Sequence, residues 1–200
     1  MAESWTQAAT LVVAYGGGET GAHEVGPAVR VLRVALREAR LILLWPAQVG
    51  VPALVAAAVD ERICYAEPQG SASGPATGRL ATVASARMRA AALRSVPALR
   101  AAAPWGAIVF NEPGRSAAVP IYLCCLAGVE RRAGFAAEFD GGMLTNALPP
   151  PGPHTPAAER HLLLLEALGL GRGLAAGLTR GSPVRSDGPP AFRPDARERS

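Results

Sequence analysis

The feature that most constrains the fold of this chain is the regular alternation of short, wholly apolar runs with longer helical segments. Runs that are apolar throughout are typical of strands buried on both faces of a sheet. Strands are predicted at Thr10–Tyr15, Arg40–Trp45, Arg62–Tyr65, Ala107–Phe110 and Arg132–Ala136. Helices are predicted at Val25–Ala39, Ala47–Ala58, Arg79–Ala102, Ala117–Ala127 and Ala157–Leu168. This order predicts an α/β fold, a Rossmann-like parallel sheet with helices on both faces.

The length of the chain sets the number of domains. Two hundred residues, half of them apolar, suffice for one domain with a real core. We expect this domain to occupy residues 1–170 and a disordered Gly-, Pro- and Arg-rich tail to occupy residues 171–200. Glu67–Gly78 is rich in Gly, Ser and Pro, which predicts an exposed loop, and Pro97 is expected to interrupt the helix that follows.

Charge and cysteine patterns exclude several classes of protein. All 20 basic residues are Arg, and they are scattered rather than clustered between aromatics, so no nucleic-acid partner is predicted. The three cysteines show no C-x-x-C spacing and no even framework, and we predict neither a metal site nor a cofactor. The uncharged stretch Leu41–Val59 is interrupted by Pro46 and Pro52, which favours a buried strand and helix over a membrane span.

A glycine-rich turn, Gly16, Gly17 and Gly18, follows the first predicted strand. Ligands of open parallel sheets bind outside the carboxyl ends of the strands, which is where this turn is expected. Gly16, Gly18 and Gly21 satisfy G-x-G-x-x-G, but no acidic residue ends the second strand to hold a ribose, and a P-loop requires a lysine. Two interpretations stay open: a sugar-binding loop, or a turn whose glycines only supply positive φ.

Several local patterns occur in one order along residues 10–170. The glycine-rich turn precedes Pro27 and Ala28, Leu126–Phe135 reads LAGVERRAGF, and His154–Leu170 carries AER ahead of a Leu-rich helix that ends in LGL. Together they resemble glycosyltransferase family 9, the heptosyltransferases of lipopolysaccharide biosynthesis. The resemblance implies the N-terminal, acceptor-side domain of a GT-B fold. It also implies sugar transfer from a nucleotide-sugar donor such as ADP-heptose to an anionic glycolipid acceptor, in the cytoplasm and peripheral to the inner membrane.

The chain departs from the family's pattern at the general base. The family's opening-loop Asp lies six positions before the proline, and Gly21 holds that position before Pro27. Glycine cannot accept a proton, so we assign Glu19 as the candidate catalytic base, because it lies in the same loop. Glu24 and His23 are further candidates, and the alternative is that these are only solvated loop residues.

A second departure concerns the donor-binding half. No counterpart of it follows Leu170, so we expect the isolated chain to be incomplete or inactive and a separate donor-domain chain to be a possible partner. The alternatives are a non-catalytic binding module that keeps the acceptor fold, or an unrelated Rossmann-like nucleotide binder. An apolar interdomain face is expected near Gly16–Gly18, Asn111–Ser116 and Met143–Asn146.

The candidate substrate-binding residues come from the loops and from arginines that could meet an anionic acceptor. Guanidinium groups pair bidentately with carboxylate or phosphate. The predicted substrate-binding residues are Gly16, Gly17, Gly18, Asn111, Arg115, Arg131 and Arg132. For Arg131 and Arg132 the alternative is a surface charge at the start of a strand.

Overall fold

A computed structural model describes residues 4–66, 90–136 and 141–171 of the chain. These residues contain a six-stranded sheet in the order β3-β2-β1-β4-β5-β6, and every neighbouring pair is parallel. The strands are β1 (Thr10–Gly16), β2 (Arg40–Pro46), β3 (Glu61–Tyr65), β4 (Gly106–Asn111), β5 (Arg131–Phe135) and β6 (Asn146–Leu148). The predicted α/β fold with a Rossmann-like parallel sheet is confirmed.

The helices among the described residues connect the strands and cover the sheet. The α-helices are α1 (Glu19–Ala22), α2 (Gly26–Ala35), α3 (Ala53–Ala56), α4 (Val96–Ala101), α5 (Ala118–Leu126) and α6 (Ala157–Ala167). Short 3₁₀ turns occupy Trp5–Gln7, His23–Val25 and Gly141–Met143. Residues 90–93 are also helical and lie just ahead of α4.

Two apolar clusters lie on opposite faces of the sheet, as the side-chain alternation of a strand requires. In β1, Leu11, Val13 and Tyr15 belong to the first cluster, which α2, α3 and α6 cover. Val12 and Ala14 belong to the second cluster, which α4 and α5 cover. Both sets are buried, which explains why positions 11–15 of this strand are all apolar.

The first predicted helix, Val25–Ala39, is shorter in the structure and ends at Ala35. The chain turns at Leu36, whose side chain is buried in the core. The guanidinium of Arg33 then donates to the carbonyls of Arg37 and Ala39, which a continued helix would have bonded internally. A long polar side chain therefore closes this helix, and the apolar spacing alone did not reveal its end.

The helix predicted at Ala47–Ala58 is reduced to α3, Ala53–Ala56. The preceding segment is held by other bonds: the amide of Ala47 donates to the carbonyl of Tyr65, and the indole of Trp45 donates to the carbonyl of Val49. Pro52 is the N-cap of α3, where its missing N–H is not needed. The uncharged stretch that begins at Leu41 is thus a buried strand followed by a turn and a short helix.

Pro97 lies in the first turn of α4, so it begins a helix at the place where it was expected to interrupt one. The strand β6 was not predicted, because only three residues pair with β5 and none of them is buried. The predicted loop Glu67–Gly78, the start of the helix predicted from Arg79, and the tail from residue 172 lie outside the described residues.

Candidate functional site

The carboxyl ends of β1 and β4 meet at one edge of the sheet, where Gly16 pairs with Asn111. A Cβ at Gly16 would lie 2.8 Å from Cα of Ala117, at the start of α5. Only glycine fits this approach. The residues after Gly16 and those after Asn111 therefore leave the sheet side by side, and together they form the candidate site.

The glycine-rich turn is packed against an aromatic side chain. A Cβ at Gly17 would lie 2.3 Å from the hydroxyl oxygen of Tyr15, and this hydroxyl donates to the carbonyl of Gly18 over 3.0 Å. The Tyr15 ring stacks on Trp45 with centroids 4.5 Å apart. Among the described residues the glycines with positive φ are Gly114, Gly128 and Gly169. The interpretation that the turn needs glycine for positive φ is therefore wrong. Its glycines instead allow neighbouring residues to pack closely against the backbone of the turn.

Glu112, the first residue after β4, reaches across to this turn. The amide of Gly18 donates to its Oε2 over 3.0 Å, and Nε of Arg115 lies 3.2 Å from the same oxygen. A Cβ at Gly21 would lie 3.0 Å from the Glu112 carboxyl carbon. The Glu112 side chain is only 20% exposed. A carboxylate therefore lies against Gly21, although that residue carries none.

Glu112 is not among the site residues predicted from the sequence. A signal was present, because Glu112 directly follows a strand that this fold places beside β1. Its importance depends on which strands are neighbours, and the chain separates Glu112 from Gly18 by 94 positions. Reasoning about the loop around Gly21 alone could not connect them.

Glu19 approaches the same turn from the other side. It is the first residue of α1, is exposed, and its Oε2 accepts a hydrogen bond from the amide of Gly50 over 2.9 Å. Gly50 follows β2, and Glu112 follows β4. The turn after β1 thus has one carboxylate held on each side.

Asn111 and Arg115 lie beside these groups. The Asn111 amide donates to the carbonyl of Arg115 over 3.2 Å and so closes the turn that contains Gly114 at φ +75°. The guanidinium of Arg115 is half-exposed and lies beside Gly18. Five predicted site residues are therefore brought together at the carboxyl edge: Gly16, Gly17, Gly18, Asn111 and Arg115.

Arg131 and Arg132 lie elsewhere, at the amino end of β5, because Arg131 pairs with Gly106, the first residue of β4. The Arg131 guanidinium lies 4.3 Å from the Trp105 ring centroid. Arg132 donates to the carbonyls of Met143, Val129 and Glu130. The structure therefore does not bring these two arginines to the glycine-rich turn, since parallel strands keep their amino and carboxyl ends at opposite edges.

The expected interdomain face is likewise only partly assembled. Gly16–Gly18 and Asn111–Ser116 are neighbours. Met143 and Thr145, from the third expected segment, contact Arg132 near the amino end of β5. This segment therefore does not extend the face formed by the first two, and residues 113–116 of that face are exposed.

A buried histidine contacts the backbone of both loops that form the site. His161 of α6 is 2% exposed and packs edge-on against Phe110. Its Nδ1 lies 3.1 Å from the carbonyl of Glu24, and its Nε2 lies 3.4 Å from the carbonyl of Asn111. Burial lowers the pKa of this imidazole, and the two carbonyls act in the opposite direction. His161 thereby links α6 to both loops of the site.

The described residues contain no cluster of three or more ligating side chains that could hold a metal ion. None of the helices described is both long enough and apolar enough to cross a bilayer. The chemistry at the edge therefore depends on the carboxylates, the backbone amides and Arg115.

Comparisons with known proteins identify the fold. No protein-family model matches the chain, and no curated protein matches it. The structure is similar to that of the glycosyl transferase family 9 protein from Veillonella parvula DSM 2008, with a TM-score of 0.56 and 17% identity over 86% of this chain and 43% of that one. It is also similar to E. coli ADP-heptose lps heptosyltransferase II, with a TM-score of 0.50 and 16% identity over 76% of this chain and 39% of that one.

These similarities confirm the expected resemblance at the level of the fold, which is the Rossmann-like fold of GT-B glycosyltransferases. The chain spans less than half the length of either structure.

Proposed function

We propose that this chain is the acceptor-side half of a GT-B glycosyltransferase that transfers a sugar from a nucleotide sugar to a lipopolysaccharide-type acceptor. One observation carries the proposal. The Glu112 carboxylate lies against Gly21, which is the position where the family's pattern has the Asp that acts as general base. The loop after β1 has no carboxylate at position 21, and Glu112, which directly follows the neighbouring strand β4, places its carboxylate against that position. The fold shared with family 9 structures supports the same conclusion.

The contacts of Glu112 suit a general base. Its Oε2 accepts from the Gly18 amide and faces Arg115, while the described residues place no hydrogen bond on Oε1. A base needs only to reach hydrogen-bond distance of the attacking hydroxyl. In the proposed reaction the acceptor oxygen bonds to the anomeric carbon, the bond from that carbon to the phosphate oxygen breaks, and the hydroxyl proton moves to Glu112. The nucleoside diphosphate leaves as an anion.

Glu19 is the second candidate base. It is more exposed than Glu112, and Oε2 is held by the Gly50 amide. A desolvated carboxylate is the stronger candidate, because exclusion of water strengthens its interaction with a developing charge. We therefore rank Glu112 first and Glu19 second as the general base.

A donor-binding half completes the proposed enzyme. The chain covers 43% and 39% of the two similar structures, and we propose that a donor-binding half, in the same protein or in a separate chain, supplies the nucleotide-sugar site. It would dock at the carboxyl edge, where residues 113–116 are exposed beside the glycine-rich turn. We infer ADP-heptose as the donor, and with a glycolipid acceptor we expect the protein to act in the cytoplasm, peripheral to the inner membrane.

Calorimetric titration of the full chain tests the proposal, with ADP-heptose, ADP and a Kdo-containing lipid A acceptor added separately. We expect the acceptor to bind and the two nucleotides not to bind. Glu112→Gln should weaken acceptor binding by roughly tenfold, since it removes a charge-assisted hydrogen bond to the hydroxyl. Glu19→Gln is the matched control and should weaken binding less.

Two results would count against the proposal. If the acceptor does not bind, the chain is not the acceptor half of this enzyme. If it binds equally well to wild type and Glu112→Gln, the non-catalytic binding module becomes the better interpretation.

A further inference from the structure

A buried polar side chain beside the candidate site takes no part in the proposed reaction. His161 of α6 is only 2% exposed, and its helix neighbours Leu162, Leu164 and Leu165 are packed in the first apolar cluster. An imidazole is costly to bury among apolar side chains unless its ring nitrogens meet partners. An apolar side chain would fill this position without that cost, so the contacts of the two ring nitrogens are the feature to explain.

Both ring nitrogens of His161 face backbone carbonyls, and these carbonyls belong to the two loops of the site. Nδ1 lies 3.1 Å from the carbonyl oxygen of Glu24, in the segment that follows the glycine-rich turn. Nε2 lies 3.4 Å from the carbonyl oxygen of Asn111, the residue directly before Glu112. One ring therefore contacts both loops and sets their separation.

The ring of His161 is itself held in place. Its edge packs against Phe110, with ring centroids 5.1 Å apart, and Phe110 is a fully buried residue of β4. The helix that carries it, α6, packs against α2 and against the 3₁₀ turn His23–Val25. The two loops are thus attached to a fixed point of the core rather than only to each other.

The number of ring protons limits what His161 can hold. A neutral imidazole has one N–H and one acceptor nitrogen, so each tautomer donates to only one of the two carbonyls. The charged imidazolium has two N–H groups and donates to both. These two bonds oppose the effect of burial, which lowers the pKa of His161. The loops are therefore joined through one bond when the ring is neutral and through two when it is charged.

Few charged groups act on this ring. Glu24, in the 3₁₀ turn, raises the pKa of His161, and Arg160, its neighbour on α6, lowers it. The strand β4 contributes no charged side chain. The other charged or titratable side chains of α6, α2 and the 3₁₀ turn are exposed or only part-buried: His23, Arg30, Arg33, Glu159 and Glu166.

We propose that His161 is a positioning residue for Glu112. It holds the Asn111 carbonyl and thereby sets the Glu112 carboxylate against the loop after β1, and a second ring proton strengthens this hold. That the carboxylate placed in this way is the general base rests on the proposed function. The link between the imidazole and the two loops does not rest on it.

Amide hydrogen exchange of Gly18 in the full chain, without ligand, tests the proposal. This amide donates to the Glu112 carboxylate, so its exchange rate reports how firmly the carboxylate is held. At pH 8, His161→Phe keeps an aromatic ring but has no donor, and Gly18 should exchange about fivefold faster. His161→Gln keeps an N–H donor and should stay within about twofold of wild type, which provides a second variant if His161→Phe folds poorly.

The pH dependence separates positioning from packing alone. In wild type, the NMR resonance of the Gly18 amide should shift with the same midpoint as the ring nitrogens of His161, below about pH 6.5. This inflection should be absent from His161→Phe. His23→Gln is the matched control, because His23 is exposed and directly precedes Glu24, and it should keep the inflection.

Leu165→Ala controls for a general loss of stability, because Leu165 is fully buried one turn further along α6. It should lower the unfolding temperature while Gly18 exchange stays within about twofold of wild type. Two results would overturn the proposal. Equal acceleration in Leu165→Ala and His161→Phe would show that His161 only stabilises the fold. A Gly18 resonance that does not respond to the titration of His161 would show that the ring and the carboxylate are not linked.

Acceptor binding is measured separately by calorimetry. If wild type binds the acceptor, His161→Phe should weaken binding, and adding His161→Phe to Glu112→Gln should weaken it no further, because His161 acts through Glu112. Additive losses would contradict the positioning role. If wild type does not bind the acceptor, the proposed function fails, and the exchange and resonance measurements still decide the role of His161.

Discussion

The amide of Gly18 donates to the Glu112 carboxylate over 3.0 Å, and this bond joins two loops that are 94 positions apart in the chain. Gly18 belongs to the turn after β1, and Glu112 directly follows β4. The bond therefore holds the two halves of the candidate site together. It also orients the carboxylate, since one of its oxygens is committed to the backbone.

Removing this acceptor should destabilise the fold. Glu112→Ala leaves the Gly18 amide, which is only partly exposed, without its acceptor, and we expect the free energy of unfolding to fall by about 1–2 kcal/mol. Urea denaturation measures this change. Glu112→Gln keeps an acceptor oxygen and should lose less than about 1 kcal/mol. Equal losses in the two variants would mean that the hydrogen bond to Gly18 contributes nothing.

Gly17→Ala should be destabilising through overpacking. Its Cβ would lie 2.3 Å from the Tyr15 hydroxyl oxygen and 2.4 Å from the ring carbon that carries it. Tyr15 is fully buried and stacked on Trp45, so it cannot move aside without disturbing the core. We expect a loss of about 1–3 kcal/mol in urea denaturation.

Gly142→Ala is the matched control for that substitution, because a Cβ at Gly142 meets nothing within 4 Å. Its effect should stay within about 0.5 kcal/mol. If Gly17→Ala is tolerated equally well, then packing against Tyr15 is not the reason that the turn requires glycine at this position.

Stability should depend on pH through His161. Its folded pKa is lowered by burial, so the unfolded chain takes up a proton first as the pH falls. Stability from this group is therefore fully present above the unfolded value of about 6.5 and is lost as the pH falls from there through the lowered folded pKa. Urea denaturation between pH 8 and pH 5 should show unfolding free energies that decrease toward acid.

His161→Gln should flatten that dependence, although it also removes packing against Phe110. His154→Gln replaces an exposed histidine and is the control that should retain the slope. A slope that survives His161→Gln would assign the pH dependence to another group.

Asp60 should contribute more to the free energy of unfolding than its exposure suggests. Its Oδ2 accepts from the Leu41 amide over 2.7 Å and pairs with Arg33, so it connects the starts of β2 and β3 to the end of α2. We expect Asp60→Ala to lower the free energy of unfolding by about 1 kcal/mol. Glu61→Ala breaks only the exposed pair with Arg40 and should change it by less than about 0.5 kcal/mol. Equal effects would mean that the backbone bond to Leu41 is unimportant.

The pKa of Asp60 is lowered, first by the bond from the Leu41 amide and then by Arg33. Its contribution is therefore present above the unfolded pKa of about 3.9 and is lost as the pH falls through the folded value. The loss of the Asp60 contribution thus begins at about pH 3.9, whereas the loss of the His161 contribution begins at about pH 6.5.

The sequence by itself determined the class of fold and the approximate positions of the first five strands along the chain, because a strand buried on both faces must be apolar along its length. Leu11 to Tyr15 point alternately into two cores, and Leu41 to Trp45 are buried throughout. The glycine-rich turn was also placed correctly, since the residues after a parallel strand lie at its carboxyl end.

Only the tertiary structure decided which side chains share the site. Glu112 meets Gly18 because β4 pairs with β1, and Arg131 is remote because it begins β5 at the opposite edge. Apolar periodicity predicts which face of a helix or strand is buried. The order of strands in the sheet, and the positions that the charged groups of long polar side chains reach, depend instead on contacts between residues far apart in the chain.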